Sequence, residues 1–171
     1  MKEENNHYVV ATAAIMRGDK FLIVRRSKKE TAMAGLWGFP GGKLNLNDYI
    51  HRPKNTSQHW HHILDHLVMR ECAEEVGIQI RNISYIKNLV FIRPDNIPTI
   101  VISFAADYAG GGIKLGDEII DFAWVDLAEA RRYELIEGLY DELVLAYHIK
   151  QEKPKKLQNQ NAKYCMQFDA N

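Results

Sequence analysis

A chain of 171 residues is long enough for one domain with a real core, and 46% hydrophobic with 26% charged residues is a globular composition. Lys+Arg and Asp+Glu both total 22, so no overall basic field exists to grip a nucleic-acid duplex, although a local nucleotide site is compatible with zero net charge. Two distant cysteines, Cys72 and Cys165, exclude a disulfide scaffold and a CxxC zinc pair, the polar stretch Met1–His7 has no signal core, and the apolar runs are too short to span a membrane. The expected setting is the reducing cytoplasm, without membrane or duplex partners, as a monomer or homodimer.

In chain order, residues 8–16 and 21–24 are apolar and β-branched around a turn at Arg17–Lys20, which predicts two strands. Residues 27–36 are polar and small, a loop. Residues 37–44 (WGFPGGKL) predict a sharp bend and a close backbone approach at Gly41-Gly42. Residues 45–59 predict an exposed loop. Over 60–76, Ile63, Leu64, Leu67, Val68, Cys72 and Val76 recur at helical spacing, and Gly77 closes the helix. Strands follow over 78–92, with a break near Asn82, and over 99–108. Gly110–Gly112 forms a turn, and a further strand covers 119–125. Asp126 caps a short helix over 127–132, and an amphipathic helix covers 136–150. Residues 151–171, rich in Lys, Gln and Asn, read as a mobile tail on which Tyr164, Met166 and Phe168 are candidates to dock. Strands and helices mix without βαβ alternation, which predicts α+β.

Chemistry concentrates in Arg70-Glu71-Cys72-Ala73-Glu74-Glu75-Val76-Gly77-Ile78. On a helix, Glu71, Glu74 and Glu75 occupy neighbouring parts of one face. Three carboxylates so close repel unless cations compensate them. Hard oxygen donors of this kind suit Mg²⁺, which couples a few carboxylates to substrate phosphates. The competing reading is a solvated acidic helix face.

These residues, with the Leu36–Lys43 approach GLWGFPGGK beginning at Gly35, resemble the Nudix box, a glycine followed by a glutamate and then R-E-U-x-E-E-x-G-U. The second half of the box matches at every specified position, with Cys72 and Ile78 at the bulky apolar places. The resemblance covers roughly residues 8–150 and implies a single domain over 1–150, an α/β/α sandwich with a mixed sheet and a catalytic loop–helix motif. The first half departs from the pattern. Six residues beyond Gly42 stands Asp48, and eight before Arg70 stands His62, so the box carries an insertion of 14 residues (62 − 48) within an inserted loop over 45–62. Either Asp48 stands in for the first glutamate, which is the simpler reading, or His62 does.

The resemblance implies a Mg²⁺-dependent (alternatively Mn²⁺-dependent) hydrolase in which water attacks phosphorus of a phosphoanhydride. Glu74 and Glu75 would be the principal metal ligands with the Gly41 carbonyl, Glu71 a ligand or the base, and Arg70 an organiser of the acids. Glu118 is the candidate for a further acidic ligand, with Asp117 and Asp121 as rivals. Arg26, at the end of the second strand, is a candidate phosphate grip in preference to Arg25. Phe39 is a candidate pocket wall, with Phe91 similar, and Gly42 and Lys43 complete the expected substrate contacts. Trp37 reads as core.

Five of the seven histidines, His51, His59, His61, His62 and His66, fall in or beside the insertion. His62 and His66 lie one turn apart, which would suit zinc, but a polar loop or lid is the preferred reading. The substrate expectation is a nucleoside triphosphate or diphosphate derivative, including oxidised or non-standard nucleotides. ADP-ribose or a nucleotide sugar is the alternative, and a non-catalytic nucleotide-sensing protein is the alternative of another class.

Overall fold

The computed structural model describes residues 6–152. The proposed docking residues Tyr164, Met166 and Phe168 lie outside them.

A seven-stranded mixed sheet forms the centre. Strand β1 (Tyr8–Arg17) pairs antiparallel with β2 (Lys20–Arg26) and parallel with the long β6 (Pro98–Gly111), which pairs in turn with β5 (Ile78–Ile92). The short strands β3 (Trp37–Gly38) and β4 (Gly41–Lys43) attach to β2 and β1, and β7 (Ile119–Val125) attaches to the other side of β2. The bend expected over 37–44 is therefore drawn into the sheet at both ends.

Period-two alternation divides the core. Ala11, Ala13 and Ile15 face helix α1 (Ile63–Val76), whose Leu67, Val68, Cys72 and Val76 are fully buried against them. Burying each larger aliphatic side chain contributes on the order of 1.5–3 kcal/mol. Ala14 and Met16 face the opposite way, toward Leu139, Leu143 and Ala146 of the last helix, α3 (139–152). Trp37 and Phe39 enter this second core together, and Trp37 meets the Tyr133 ring edge-on at 4.8 Å. The result is a helix–sheet–helix sandwich.

Several boundaries shift from the sequence reading. Helix α1 starts at Ile63, not at 60, because His62 takes a left-handed conformation (φ 58) at its entry, and Gly77 ends it with φ 73. The break expected near Asn82 is a bulge inside one continuous strand, with Asn82 at φ 53 where the β5–β6 register slips. Asp126 caps α2 (Leu127–Ala130) by accepting from the Ala128 and Glu129 amides. Helix α3 begins after Gly138, three residues later than expected, and continues into 151–152, which the sequence assigned to the tail. No helix among the described residues is long and apolar enough to cross a membrane.

Candidate active site

The glycine bend and α1 meet through backbone contacts that only glycine permits. Gly41 pairs with Thr12 across β4 and β1, and a Cβ at Gly41 would stand 2.2 Å from the Ala11 carbonyl oxygen. Its N–H donates to Glu75 Oε2 at 2.9 Å. A Cβ at Gly42 would stand 2.1 Å from Glu71 Oε1. The two glycines are thus the space into which the carboxylates of Glu71 and Glu75 fit.

Arg70 bonds three acids at once. Its guanidinium donates from Nε to Asp48 Oδ1 (2.9 Å), from one terminal nitrogen to Glu71 Oε1 (2.8 Å) and from the other to Glu74 Oε2 (2.5 Å). Burial opposes its charge, but Glu71, Glu74 and Asp48 outweigh burial and hold Arg70 above its ordinary range. Asp48 ends a 3-10 turn (Leu46–Asp48), and its side chain is 9% exposed. His62 is 78% exposed and bonds Asp65 instead. Of the two candidates for the first acid, Asp48 is the one that reaches Arg70.

The three box glutamates differ. Glu74 is more than half exposed at its side chain. Glu71 is partly buried, and burial raises its carboxyl above the usual range against the pull of Arg70. Glu75 is buried, and burial pushes its carboxyl up to about 7. The Gly41 amide and the Arg26 charge oppose that rise, while Glu71 and Glu118 add to it. A hard divalent cation suits such a set, because oxygen donors carrying excess buried charge are what it neutralises. In the conformation seen, Arg70 draws Asp48, Glu71 and Glu74 to itself, and among the described residues no three acids, histidines or cysteines converge as a ready metal site. The five histidines between 51 and 66 are all exposed and form no such group.

A cavity of about 440 Å³ opens beside the bend. Gly41, Gly42, Lys43, Arg26, Glu118, Phe39 and Phe91 all line it; Arg25 does not and instead donates to the Gly35 carbonyl. The β2–β7 ladder shifts register between Arg25 and Arg26, and a bulge of this kind re-aims a side chain. Arg26 donates to Glu30 at 2.9 Å, and the Ser27 amide bonds the Glu118 carbonyl at 2.8 Å. Glu118 therefore faces the same space as Arg26. Lys43 lies 5.2 Å over the Tyr8 ring at the border of this space. Leu89 and Val101 add apolar wall.

The sequence reading missed Thr12, Ser103 and Glu142, which also line the cavity. Glu142 carried a signal: it falls on the same helical stripe as Leu139, Leu143 and Ala146, where an acid is out of place. Ser103 and Thr12 carried none, being hydroxyls in otherwise apolar strands.

The loop over 45–62 is hydrogen-bonded to itself. Arg52 Nε donates to the Asp48 carbonyl at 2.8 Å, Trp60 Nε1 to the Arg52 carbonyl at 3.0 Å, and the Asn55 amide to the His59 carbonyl at 2.9 Å. Tyr49 and Trp60 meet edge-on at 5.3 Å.

No family model matches the chain. Among curated proteins, it is 39% identical over 67 residues to the NAD-capped RNA hydrolase NudC of Photobacterium profundum, a match covering 39% of this chain and 24% of that protein. The chain thus spans about a quarter of the length of that relative. Among solved structures, the MutT protein of Methanosarcina mazei superposes with a TM-score of 0.64 at 25% identity, covering 86% of this chain and 97% of that one. The Nudix domain of Shewanella oneidensis NrtR, complexed with ADP ribose, superposes with a TM-score of 0.64 at 17% identity, covering 84% and 88%.

Proposed function

We propose, for a chain that belongs to the Nudix hydrolase family, that it hydrolyses a phosphoanhydride bond in a nucleoside triphosphate or nucleoside diphosphate derivative, with Mg²⁺ as cofactor. The observation that carries this reading is one cavity joining two kinds of surface. At one end are Gly41 and Gly42, Glu118 and Arg26, and elsewhere Phe39, Leu89, Phe91 and Val101 form apolar wall; Glu71 and Glu75 do not line the cavity but abut the two glycines that do. A charged end for phosphates beside an apolar wall for a base is what a nucleotide requires.

Glu71, Glu74 and Glu75, with the Gly41 carbonyl and Glu118, are the residues that would hold the metal. When bound, the ion neutralises charge developing on the transferred phosphoryl group. Arg26 grips a phosphate through its guanidinium, which in this position donates to the Glu30 carboxylate. Arg70 positions Glu71 and Glu74. A carboxylate of this cluster takes the proton of the attacking water as the water oxygen bonds to phosphorus and the bridging P–O bond breaks, its electron pair leaving on the departing phosphate oxygen. Glu71, which the resemblance gives as a ligand or the base, is the candidate for it. Phe39 and Phe91 cover the base.

The test is a substrate panel with Mg²⁺ comprising nucleoside triphosphates, oxidised nucleotides, ADP-ribose, nucleotide sugars and NADH, with both products identified. ADP-ribose and NADH are included because one similar structure is complexed with ADP ribose and one similar protein is an NAD-capped RNA hydrolase. Turnover lost in Glu74→Gln and Glu75→Gln variants that stay folded supports the reading. Tight nucleotide binding without turnover on any member of the panel would replace it with a binding function.

A further inference from the structure

Two carboxylates are buried among the described residues, Glu75 and Glu142. The first belongs to the acidic cluster. The second is 4% exposed and stands in the wall of the same cavity, where the proposed hydrolysis has not used it. Ser103 hydrogen-bonds its carboxylate, and Lys87 Nζ lies 3.9 Å from Oε1. Thr12 Oγ1 in turn donates to Ser103 Oγ at 3.2 Å.

Strand register explains the grouping. Gly41 of β4, Thr12 of β1, Ser103 of β6 and Lys87 of β5 are successive cross-strand partners in one row. Gly41 and Ser103 are two interstrand spacings apart, roughly 10 Å. The next row on the same face, Lys43–Val10–Val101–Leu89, is apolar across its last three members, and these line the cavity. A polar row thus runs from the glycine bend, where phosphates would sit, to a buried acid beside an apolar floor.

We propose that Glu142, held by Ser103, reads the edge of a nucleobase in this cavity and selects a base that presents two adjacent N–H donors, as guanine does. The proposal rests on the nucleotide reading given above. An ionised carboxylate only accepts, and it has about four acceptor positions. Ser103 and Lys87 engage part of that capacity, leaving room for two more donors. The N1–H and N2–H of guanine are adjacent and match the two carboxylate oxygens. Adenine and cytosine offer one donor beside a ring nitrogen lone pair, and uracil offers one donor between two carbonyls. Each of these sets a lone pair against a buried acceptor, which is costly away from water. Burial raises the Glu142 carboxyl above its ordinary value, and the Ser103 hydrogen bond and the Lys87 charge oppose that rise.

The experiment compares GTP, ITP (which lacks the N2 amino group) and ATP, by kcat/KM with Mg²⁺ and by Kd in EDTA, for the wild type, Glu142→Gln and Ser103→Ala. The wild type should prefer GTP over both others by about 10- to 100-fold. In Glu142→Gln the amide offers one acceptor and one donor, which matches adenine, so the GTP/ATP ratio should fall at least about tenfold, and Ser103→Ala should move it the same way by less. Equal kcat/KM and Kd for GTP and ATP in the wild type overturns the proposal. So does a Glu142→Gln variant whose melting temperature changes while the ratio does not, because that is the behaviour of a strut between α3 and the sheet. If Glu142→Gln fails to fold, Ser103→Ala decides, and a GTP/ATP ratio unchanged in that variant overturns the proposal. Turnover without base preference refutes the role of Glu142 and leaves the hydrolase standing, whereas base-selective binding without turnover does the reverse.

Discussion

Replacing Glu75 by glutamine should abolish most of the activity and yet stabilise the metal-free protein above neutral pH. Glu75 is buried, and burial, reinforced by Glu71 and Glu118, raises its carboxyl from 4.5 to about 7. At about 1.4 kcal/mol per pH unit, that rise makes the ionised form up to about 3 kcal/mol less favourable in the folded chain than in the unfolded one. The sign follows from proton counting. Between pH 4.5 and 7 the folded state binds the extra proton, so the contribution of Glu75 to stability is complete below the lower value and is lost as pH rises through the upper one. Glutamine carries no charge and keeps an oxygen to accept from the Gly41 amide. In EDTA, Glu75→Gln should therefore melt near the wild type at pH 5 and up to roughly 6–12 °C above it at pH 8.5. Mg²⁺ should then raise the wild type, by about 2.7 kcal/mol at a hundred times its dissociation constant, and the variant much less. Thermal denaturation at two pH values, with and without Mg²⁺, makes the measurement. A variant less stable than the wild type at pH 8.5 in EDTA, or one that gains equally from Mg²⁺, would refute the claim that Glu75 is an uncompensated charge awaiting a cation.

Three further outcomes follow from the site. Asp48→Ala should cost about 1–3 kcal/mol and lower kcat by tenfold or more, because it frees Arg70 from a 2.9 Å pairing, whereas His62→Ala should leave both within about twofold; kinetics and urea denaturation check this. The reverse pattern would assign the first-acid position to His62. Gly42→Ala should reduce activity by orders of magnitude while the protein stays folded, since the added methyl meets the Glu71 carboxylate at 2.1 Å and must displace it; steady-state rates beside circular dichroism are the check. Arg26→Ala should raise KM more than it lowers kcat if the guanidinium binds phosphate in ground and transition states alike, and an effect on kcat alone would move Arg26 into the chemistry.

How much of this was legible depended on how local the cause was. The Arg70–Ile78 segment could be read because helical spacing alone puts Glu71, Glu74 and Glu75 together, and Gly77 ends the helix through its own φ. The β7 bounds and the Asp126 cap were local for the same reason. Asn82 misled, because a residue that tolerates φ 53 marks a turn in most strands and here marks only a bulge in a long β5. The start of α1 also escaped, since nothing in the sequence announces that His62 adopts a left-handed conformation. Glu142 was missed because its burial arises from α3 settling on a sheet row built from residues 12, 41, 87 and 103, a coincidence of register that no short window contains.

The loop over 45–62 makes the contact between Asp48 and the helix three-dimensional and not one of short spacing. Asp48 and Arg70 are 22 positions apart in the chain, yet their side chains touch, with a self-bonded loop returning the backbone between them. Because closure entropy grows only logarithmically with loop length, such a detour is thermodynamically cheap wherever both anchors are fixed by other contacts. A pattern search that demands constant spacing will pass over chains built this way, while a search for an acid resting on the arginine of the helix will find them. The same economy makes the loop a permissive place to shorten, lengthen or graft new sequence.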